Sequence, residues 1–417
     1  MHEKAFEAQC AAVTRRADAP QDAKAGTPTL LALAFGSFCI GTSEFASMGV
    51  LQLFARDLSL TIPQATNAVT AYAIGVVVGA PLVTLSMARL NRRTVLLVLM
   101  GLFVVGNLIS ANATGLSSLM VARFLAGLPQ GGYFGAGAVI AAYVVGADKA
   151  GKAFAIVMTG LTVATIFGSP IATLLGQRLG WREAYQAISC LGLLSLMVLW
   201  LLAPRTEALH GGPVMQELSA LRRPSVWGLM LVAAIGVGSI FAVYTFIGPI
   251  ITDVIRADPS LIPVGLALFG LGMTAGNILG GRLADTHSVL GLAAGFGSAL
   301  VVLATIAIAG AYVWVLMPCL FGVGLTMMTA IPTIQVRLTK LAPEAPTLMG
   351  AMNLASLNIA NAIGAWTGGI AIGLGYGGLS VGWAGFGCTL LGLVIFAITL
   401  RLSTGQRVPS TSASTAR

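Results

Sequence analysis

Apolar residues run through this chain in long blocks separated by short polar or charged turns. The block length matches the roughly 20 residues an α-helix needs to cross the hydrocarbon core of a bilayer. Cutting at the turns predicts twelve spans, over residues 29–54, 65–87, 94–112, 117–143, 152–176, 184–203, 226–250, 262–284, 289–310, 313–336, 347–372 and 379–401. The long interior polar stretch, 204–225, divides them into two sets of six. The expected fold class is therefore all-α integral membrane, with twelve transmembrane helices in two pseudo-symmetric six-helix bundles, 29–203 and 226–402. A polar N-terminal tail (1–28), the linker, in which 215–223 is expected to form a short surface helix, and a Ser/Thr-rich, disordered tail (403–417) complete the plan.

Composition agrees. The 417 residues are 57% hydrophobic and 9% charged, with a mean hydropathy of +0.90, against roughly 25% charged in a soluble globular protein. Such a chain cannot cover a water-facing surface. The net charge of +9 would suggest nucleic acid in a soluble protein, but here the basic residues sit in turns and report topology. Of the 23 Lys and Arg, all except Arg123 and the outer Arg56, Arg178, Arg182 and Arg256 fall on the side that carries both termini, which the positive-inside rule makes the cytoplasm. The segment 1–26 has no apolar core and does not read as a signal peptide. His2, His210 and His287 lie in tails or turns, and the five cysteines are scattered. No metal site, disulfide, Walker-type phosphate loop or cofactor is expected, and an enzyme would need a nucleophile–base or metal constellation that the spans do not offer.

The two halves repeat at an offset of 197 residues: Gly41 matches Gly238, Gly75 matches Gly272, Gly79 matches Gly276 and Gly127 matches Gly324. Duplicated six-helix units with a site between them are a recurring transporter plan. What fails to repeat is equally informative. Glu44 and Arg123 lie inside spans, yet at the same offset they become Phe241 and Leu320. A charge near the bilayer centre costs at least ~2.5 kcal/mol, so packing alone does not explain them. Helix rise places Glu44 roughly 21 Å from the inner face and Arg123 roughly 10 Å from the outer face of a ~30 Å core, at a similar level, where they could form a charge pair or exchange one with substrate. Removing water from a carboxylate favours its neutral form and a nearby guanidinium favours its charged form, so motion between the two groups could bind and release a proton. The alternative is a neutral Glu44 bonded to Thr42, Ser43 or Ser47 and an Arg123 capped by backbone carbonyls. Asp57, Asp253 and Asp258 are expected to be solvated in outer loops.

Several segments resemble the sugar-efflux branch of drug:proton antiporters in the major facilitator superfamily, the first half looking most like arabinose-exporter-type permeases. They are Gly41-Thr-Ser-Glu44-Phe-Ala-Ser-Met48-Gly49, Tyr72-Ala-Ile-Gly-Val-Val-Val-Gly-Ala-Pro81, Ala122-Arg123-Phe-Leu-Ala-Gly127-Leu-Pro-Gln130-Gly-Gly-Tyr-Phe134-Gly135 and Gly168-Ser-Pro170. The resemblance covers about residues 29–400. It implies the major facilitator fold, proton coupling through Glu44 and Arg123, and a leak-limiting bend at Gly168 and Pro170. It also implies a cavity lined by spans one, four, seven and ten, with Met48, Gln130, Phe134, Phe241, Tyr244 and Met327 as wall residues and Asn358 and Asn361 from span eleven as polar contacts, the alternative being that such side chains bond helix to helix. The branch often has His where this chain has Gln130. The loop after span two, with Arg89, Arg92 and Arg93, lacks the family's acidic residue and glycines, whereas Asp285 sits at the matching place in the second half. The expectation is that Asp285 braces the inner gate, with Arg282 and Lys152 as neighbours; the alternative is a solvated loop carboxylate.

These readings converge on a multidrug- or sugar-efflux-like secondary transporter of a bacterial-type inner membrane, acting as a monomer and exchanging a small organic solute for protons by alternating access. A proton-independent facilitator or uptake permease is the alternative. Sugars, nucleosides, phenicol-type drugs and other metabolites are all compatible as substrates.

Overall fold

The computed structural model of the protein describes residues 23–87, 90–146, 150–206, 209, 221–342 and 346–405. Among these residues the regular structure is helical, with no β-strand. Eleven helices are long and apolar enough to cross a membrane: Gly26–Gly49, Ile62–Leu82, Arg92–Ala111, Leu116–Val145, Ala155–Leu179, Trp181–Leu202, Pro224–Tyr244, Leu261–Ala284, Thr286–Ala309, Val313–Leu341 and Ser380–Arg401. The remaining expected span, Pro346–Gly373, is a helix of 28 residues. It carries no charged residue, but Asn353, Asn358 and Asn361 make it less apolar than the rest. The twelve helices are numbered below as spans one to twelve in chain order, with Pro346–Gly373 as span eleven.

Boundaries moved where hydropathy carries no information. The first helix begins at Ala23, inside the predicted tail, and ends at Gly49. A separate short helix, Leu51–Asp57, continues the apolar run. Spans eight and nine keep their predicted separation, the helical run Leu261–Ala309 being broken by non-helical backbone at His287 (φ −140°, ψ 65°). The last helix extends to Gly405. Most of the predicted 215–223 surface helix, and the tail from 406, lie outside the described residues.

The glycine repeat is realised as packing. Gly75 lies against the Phe124 carbonyl and Gly79 against that of Leu128, while Gly127 meets the Tyr72 carbonyl. In the second half Gly272 meets the Phe321 carbonyl, Gly276 that of Leu325 and Gly324 that of Phe269. Each partner is also displaced by 197 residues, so spans two and four cross as spans eight and ten do. None of the six sites has room for a Cβ; removing it lets the backbones of lipid-embedded helices touch.

In span five the helix widens into a π turn, Ala164–Gly168, just before Pro170. Proline lacks an N–H and its ring crowds the carbonyl four residues back, which a π turn accommodates. Gly168 here sits against the Thr42 hydroxyl of span one, so the bend expected from the sequence is also a close helix contact.

The two halves meet at the end that carries Gln52, Thr252 and Pro259. Gln52 Nε2 donates to Thr252 Oγ1 at 2.8 Å and reaches both Asp253 carboxylate oxygens at 3.4 Å. Gln177 Nε2 donates to the Pro259 carbonyl at 2.9 Å. Asp253, Asp258 and Asp57 are exposed, as expected for solvated carboxylates; Asp57 in addition pairs with Arg182 and accepts from Trp181 Nε1 at 3.1 Å. These bonds hold its carboxyl below the usual carboxylate range.

Candidate functional site

Arg123, from span four, is completely buried. Its guanidinium is held by neutral groups. Nη1 donates to Ser43 Oγ at 3.0 Å and to Asn107 Oδ1 at 3.4 Å, and Nη2 donates to the Ser43 carbonyl at 3.0 Å. The Tyr72 and Tyr185 rings lie 4.4 and 5.2 Å from its central carbon, close enough for cation–π attraction. The cage is itself tied together: Ser43 Oγ donates to Asn107 Oδ1 at 2.6 Å, and the Tyr185 hydroxyl to Ser47 Oγ at 3.0 Å. A buried cation left unpaired would be costly; here charge-assisted hydrogen bonds and two π faces offset that cost.

Glu44, one residue along from Ser43, is 6% exposed. Its partners are not the neighbouring hydroxyls. Gln130 Nε2, from span four, donates to Glu44 Oε2 at 2.9 Å, and Asn361 Nδ2, from span eleven, donates to Oε1 at 3.4 Å. Gln130 is oriented in turn by the Tyr72 hydroxyl, which donates to its Oε1 at 2.9 Å. Among the described residues no ion pair joins Glu44 to Arg123; the link runs from the guanidinium through the Tyr72 ring and hydroxyl to Gln130 and then to the carboxylate. Of the arrangements the sequence allows, a direct charge pair is absent here and a mediated link takes its place, the Arg123 nitrogens turning toward Ser43 and Asn107.

The other expected wall residues are buried, and they divide by chemistry. Met48, Phe134, Phe241 and Met327 belong to the hydrophobic core. Tyr244 bridges the halves: its hydroxyl lies 3.2 Å from Ser169 Oγ, and its ring packs edge-on to Phe45 at 5.5 Å and against Phe269 at 4.5 Å. Asn358 is buried on the same helix as Asn361 and donates from Nδ2 to its own Leu354 carbonyl at 3.0 Å.

The residues expected at the inner gate are less connected to this site. Arg93 Nε donates to the Ala203 carbonyl at 3.1 Å and Nη2 to that of Trp200 at 2.5 Å, tying the start of span three to the end of span six within one bundle. Asn91 supports it by capping the helix, its Oδ1 accepting from Arg93 N at 3.0 Å. Arg92 adjoins it at the start of the same helix. Arg89 and the side chains of Asp285 and Lys152 lie outside the described residues.

Sequence reading gave no role to Tyr72, Asn107 or Tyr185. Each is a neutral polar residue in a span, a weak signal compared with a charge. The repeat sharpens it afterwards, since Glu44, Tyr72, Arg123 and Gln130 correspond to Phe241, Phe269, Leu320 and Met327. The entire polar chain of the first half is apolar in the second.

A family model described as Major Facilitator Superfamily matches residues 33–365. The inner membrane transport protein YdhP of Escherichia coli (strain K12) is 39% identical over 382 residues, covering 88% of this chain and 94% of that protein. A chloramphenicol resistance protein of Streptomyces lividans is 34% identical over 359 residues, covering 85% and 92%. Among solved structures, a bacterial homologue of the human lysosomal transporter Spinster, inward-facing and unoccupied, superposes with a TM-score of 0.76 at 15% identity, covering 93% of this chain and 99% of that one.

Proposed function

The chain belongs to the Major Facilitator Superfamily, and on that premise we propose that it exports a small organic solute, sugar-like or drug-like, in exchange for protons. It is a multi-pass membrane transporter of small solutes and not an enzyme. YdhP names an inner membrane protein, and the same membrane suits this chain, with the excess of Lys and Arg placing both termini in the cytoplasm. The direction proposed is export, which would suit a chain similar to a chloramphenicol resistance protein. One chain supplies both halves of the site, which supports a monomer.

The observation that carries proton coupling is the position of Glu44 between the halves. One carboxylate oxygen accepts from Gln130 of its own bundle and the other from Asn361 of the opposite bundle. An ionised carboxylate accepts at both oxygens; a protonated one has an O–H that cannot accept from an amide N–H in the same geometry. Protonation therefore weakens a contact across the interface along which the bundles rock. The cage of Arg123 fixes Ser43, the residue before Glu44. A proton arriving from outside thus changes the relative stability of two arrangements of the bundles, as a coupled exchanger requires.

The test is efflux from energised vesicles with and without the pH gradient. Proton-driven export predicts that accumulation against a gradient stops when the pH difference is dissipated while the membrane potential is held. Unchanged uphill movement would reject the coupling, and solute equilibration indifferent to both gradients would favour a facilitator.

A further inference from the structure

Span eleven carries three buried amides whose oxygens have no hydrogen-bond donor among the described residues: Asn353, Asn358 and Asn361, at 6, 2 and 1% exposure. Their nitrogen ends differ. Asn358 Nδ2 is spent on its own helix, at the Leu354 carbonyl, while Asn361 Nδ2 reaches across to Glu44. An acceptor buried without a partner is costly, and the fold does not require these residues. At the offset of 197 they correspond to Ile156, Leu161 and Ala164, all apolar.

The unpaired atoms on this helix share one chemistry. Asn353, Asn358 and Asn361 each present an oxygen, and the adjacent Glu44 adds a carboxylate. The guanidinium of the same region, Arg123, is fully buried, covered by the Tyr72 and Tyr185 rings, with its terminal nitrogens turned to Ser43 and Asn107. A ligand meeting Asn358 and Asn361 therefore encounters acceptors and negative charge. It gains by bringing O–H or N–H donors and loses by bringing an anionic group, since a like charge next to a carboxylate in a low-dielectric site is repelled.

We propose that Asn358 and Asn361 are the solute-recognition residues of the central site and that they select uncharged or cationic solutes rich in O–H and N–H donors over organic anions. This rests on the export reading above and adds the ligand chemistry to it. Asn361 has a double position: its N–H end reads Glu44 and its oxygen reads the solute, so proton and solute meet on a single amide. A donor supplied to these oxygens stabilises the arrangement in which they are buried, which gives the solute a differential affinity for one state of the transporter.

The experiment uses the full chain in proteoliposomes and reads counterflow, which needs no proton gradient. Three probe classes of similar size compete: neutral pentitols and pentoses, hydroxylated primary amines, and hydroxy acids. The neutral and amine classes separate the two possible sources of donors. Expected results are inhibition by at least one donor-rich class and none by the hydroxy acids. Asn358→Leu should weaken apparent affinity about five- to tenfold, the scale of a lost hydrogen bond to a desolvated group, with the saturated rate retained. Asn361→Leu should weaken affinity similarly and also lower the ratio of proton-driven export to counterflow. Asn358→Gln, which keeps an amide, should recover part of the affinity. The thermal midpoint of Asn358→Leu should equal or exceed that of the native chain, because an unpaired acceptor is replaced by an apolar group, which separates lost recognition from lost folding. The proposal is overturned if both leucine variants bind every probe as the native chain does, if hydroxy acids compete best, or if neither donor-rich class competes. Asparagine-dependent counterflow without proton-driven export would reject the coupling and leave this assignment standing. Coupling that needs Glu44, with counterflow indifferent to Asn358 and Asn361, would do the reverse.

Discussion

Gln130 donates to Glu44 Oε2 at 2.9 Å. The same amide accepts from the Tyr72 hydroxyl at 2.9 Å, so both of its ends are paired, with its N–H end on the carboxylate. Tyr72 in turn lies with its ring 4.4 Å from the Arg123 guanidinium carbon. The acid and the cation thus influence each other through a fixed intermediary, and each link can be removed separately.

Replacing Tyr72 distinguishes the two functions of its side chain. Tyr72→Phe keeps the ring beside Arg123 and removes the hydroxyl that orients Gln130. Tyr72→Leu removes both. Export driven by a pH gradient should fall modestly in the first variant and severely in the second. The stability loss in Tyr72→Leu should be larger by about 2 kcal/mol, the scale of a desolvated cation–π contact. Thermal unfolding in detergent alongside vesicle transport measures both. Equal behaviour of the two variants would mean the ring contributes nothing.

Arg123→Lys keeps the charge and loses the geometry. A lysine has one nitrogen, where Arg123 places one on Ser43 Oγ and another on the Ser43 carbonyl, and it stacks poorly on the two rings. Proton-driven export by the lysine variant should fall by about tenfold or more, since at least one hydrogen bond to a charged group, worth about 1.5–3 kcal/mol, is lost. Transport at the native rate would show that charge alone suffices.

The repeated glycine contacts predict paired sensitivity. Gly75→Ala and Gly272→Ala place a methyl against the Phe124 and Phe321 carbonyls, and each should destabilise by about 1–3 kcal/mol as an overpacked contact does. Gly101→Ala and Gly297→Ala, where a Cβ meets nothing within 4 Å, serve as controls and should leave the thermal midpoint unchanged or raised. A uniform response across the four would contradict the packing repeat.

At the end of the short Leu51–Asp57 helix, Asp57 is held below the usual carboxylate range by the Arg182 hydrogen bond first and Trp181 second. A depressed folded-state value means the stabilisation is complete at pH values above the ordinary carboxylate range and is lost as pH falls through the lowered value. Asp57→Asn should therefore lower the thermal midpoint slightly at pH 7, by at most about 2 °C for so exposed a pair. The difference from the native chain should disappear in strong acid. A deficit that persists there would show that charge is not the cause.

Much of this architecture is legible in the sequence because membrane burial constrains residues one at a time. Apolar blocks mark spans, and glycines mark helix crossings, since a carbonyl in contact admits no Cβ. Glu44 and Arg123 stand out because a charge in an apolar run is expensive wherever it points. Their partners do not stand out. Ser43, Asn107, Tyr72 and Gln130 come from four spans, and neutral polar side chains are common enough that their convergence becomes visible once the helices are packed. The break after Gly49 is hidden for a similar reason, since hydropathy averages over a backbone irregularity within an apolar run, whereas the turn at His287 falls where the sequence separates 262–284 from 289–310.

The central claim is that Glu44 carries the coupling proton, and Glu44→Gln in sealed vesicles tests it most directly. Glutamine matches the shape of the acid but cannot gain or lose the proton. The account predicts that the variant no longer accumulates solute against a gradient when a pH difference is imposed, while counterflow exchange continues. Uphill, pH-driven export by Glu44→Gln at the native rate would contradict it.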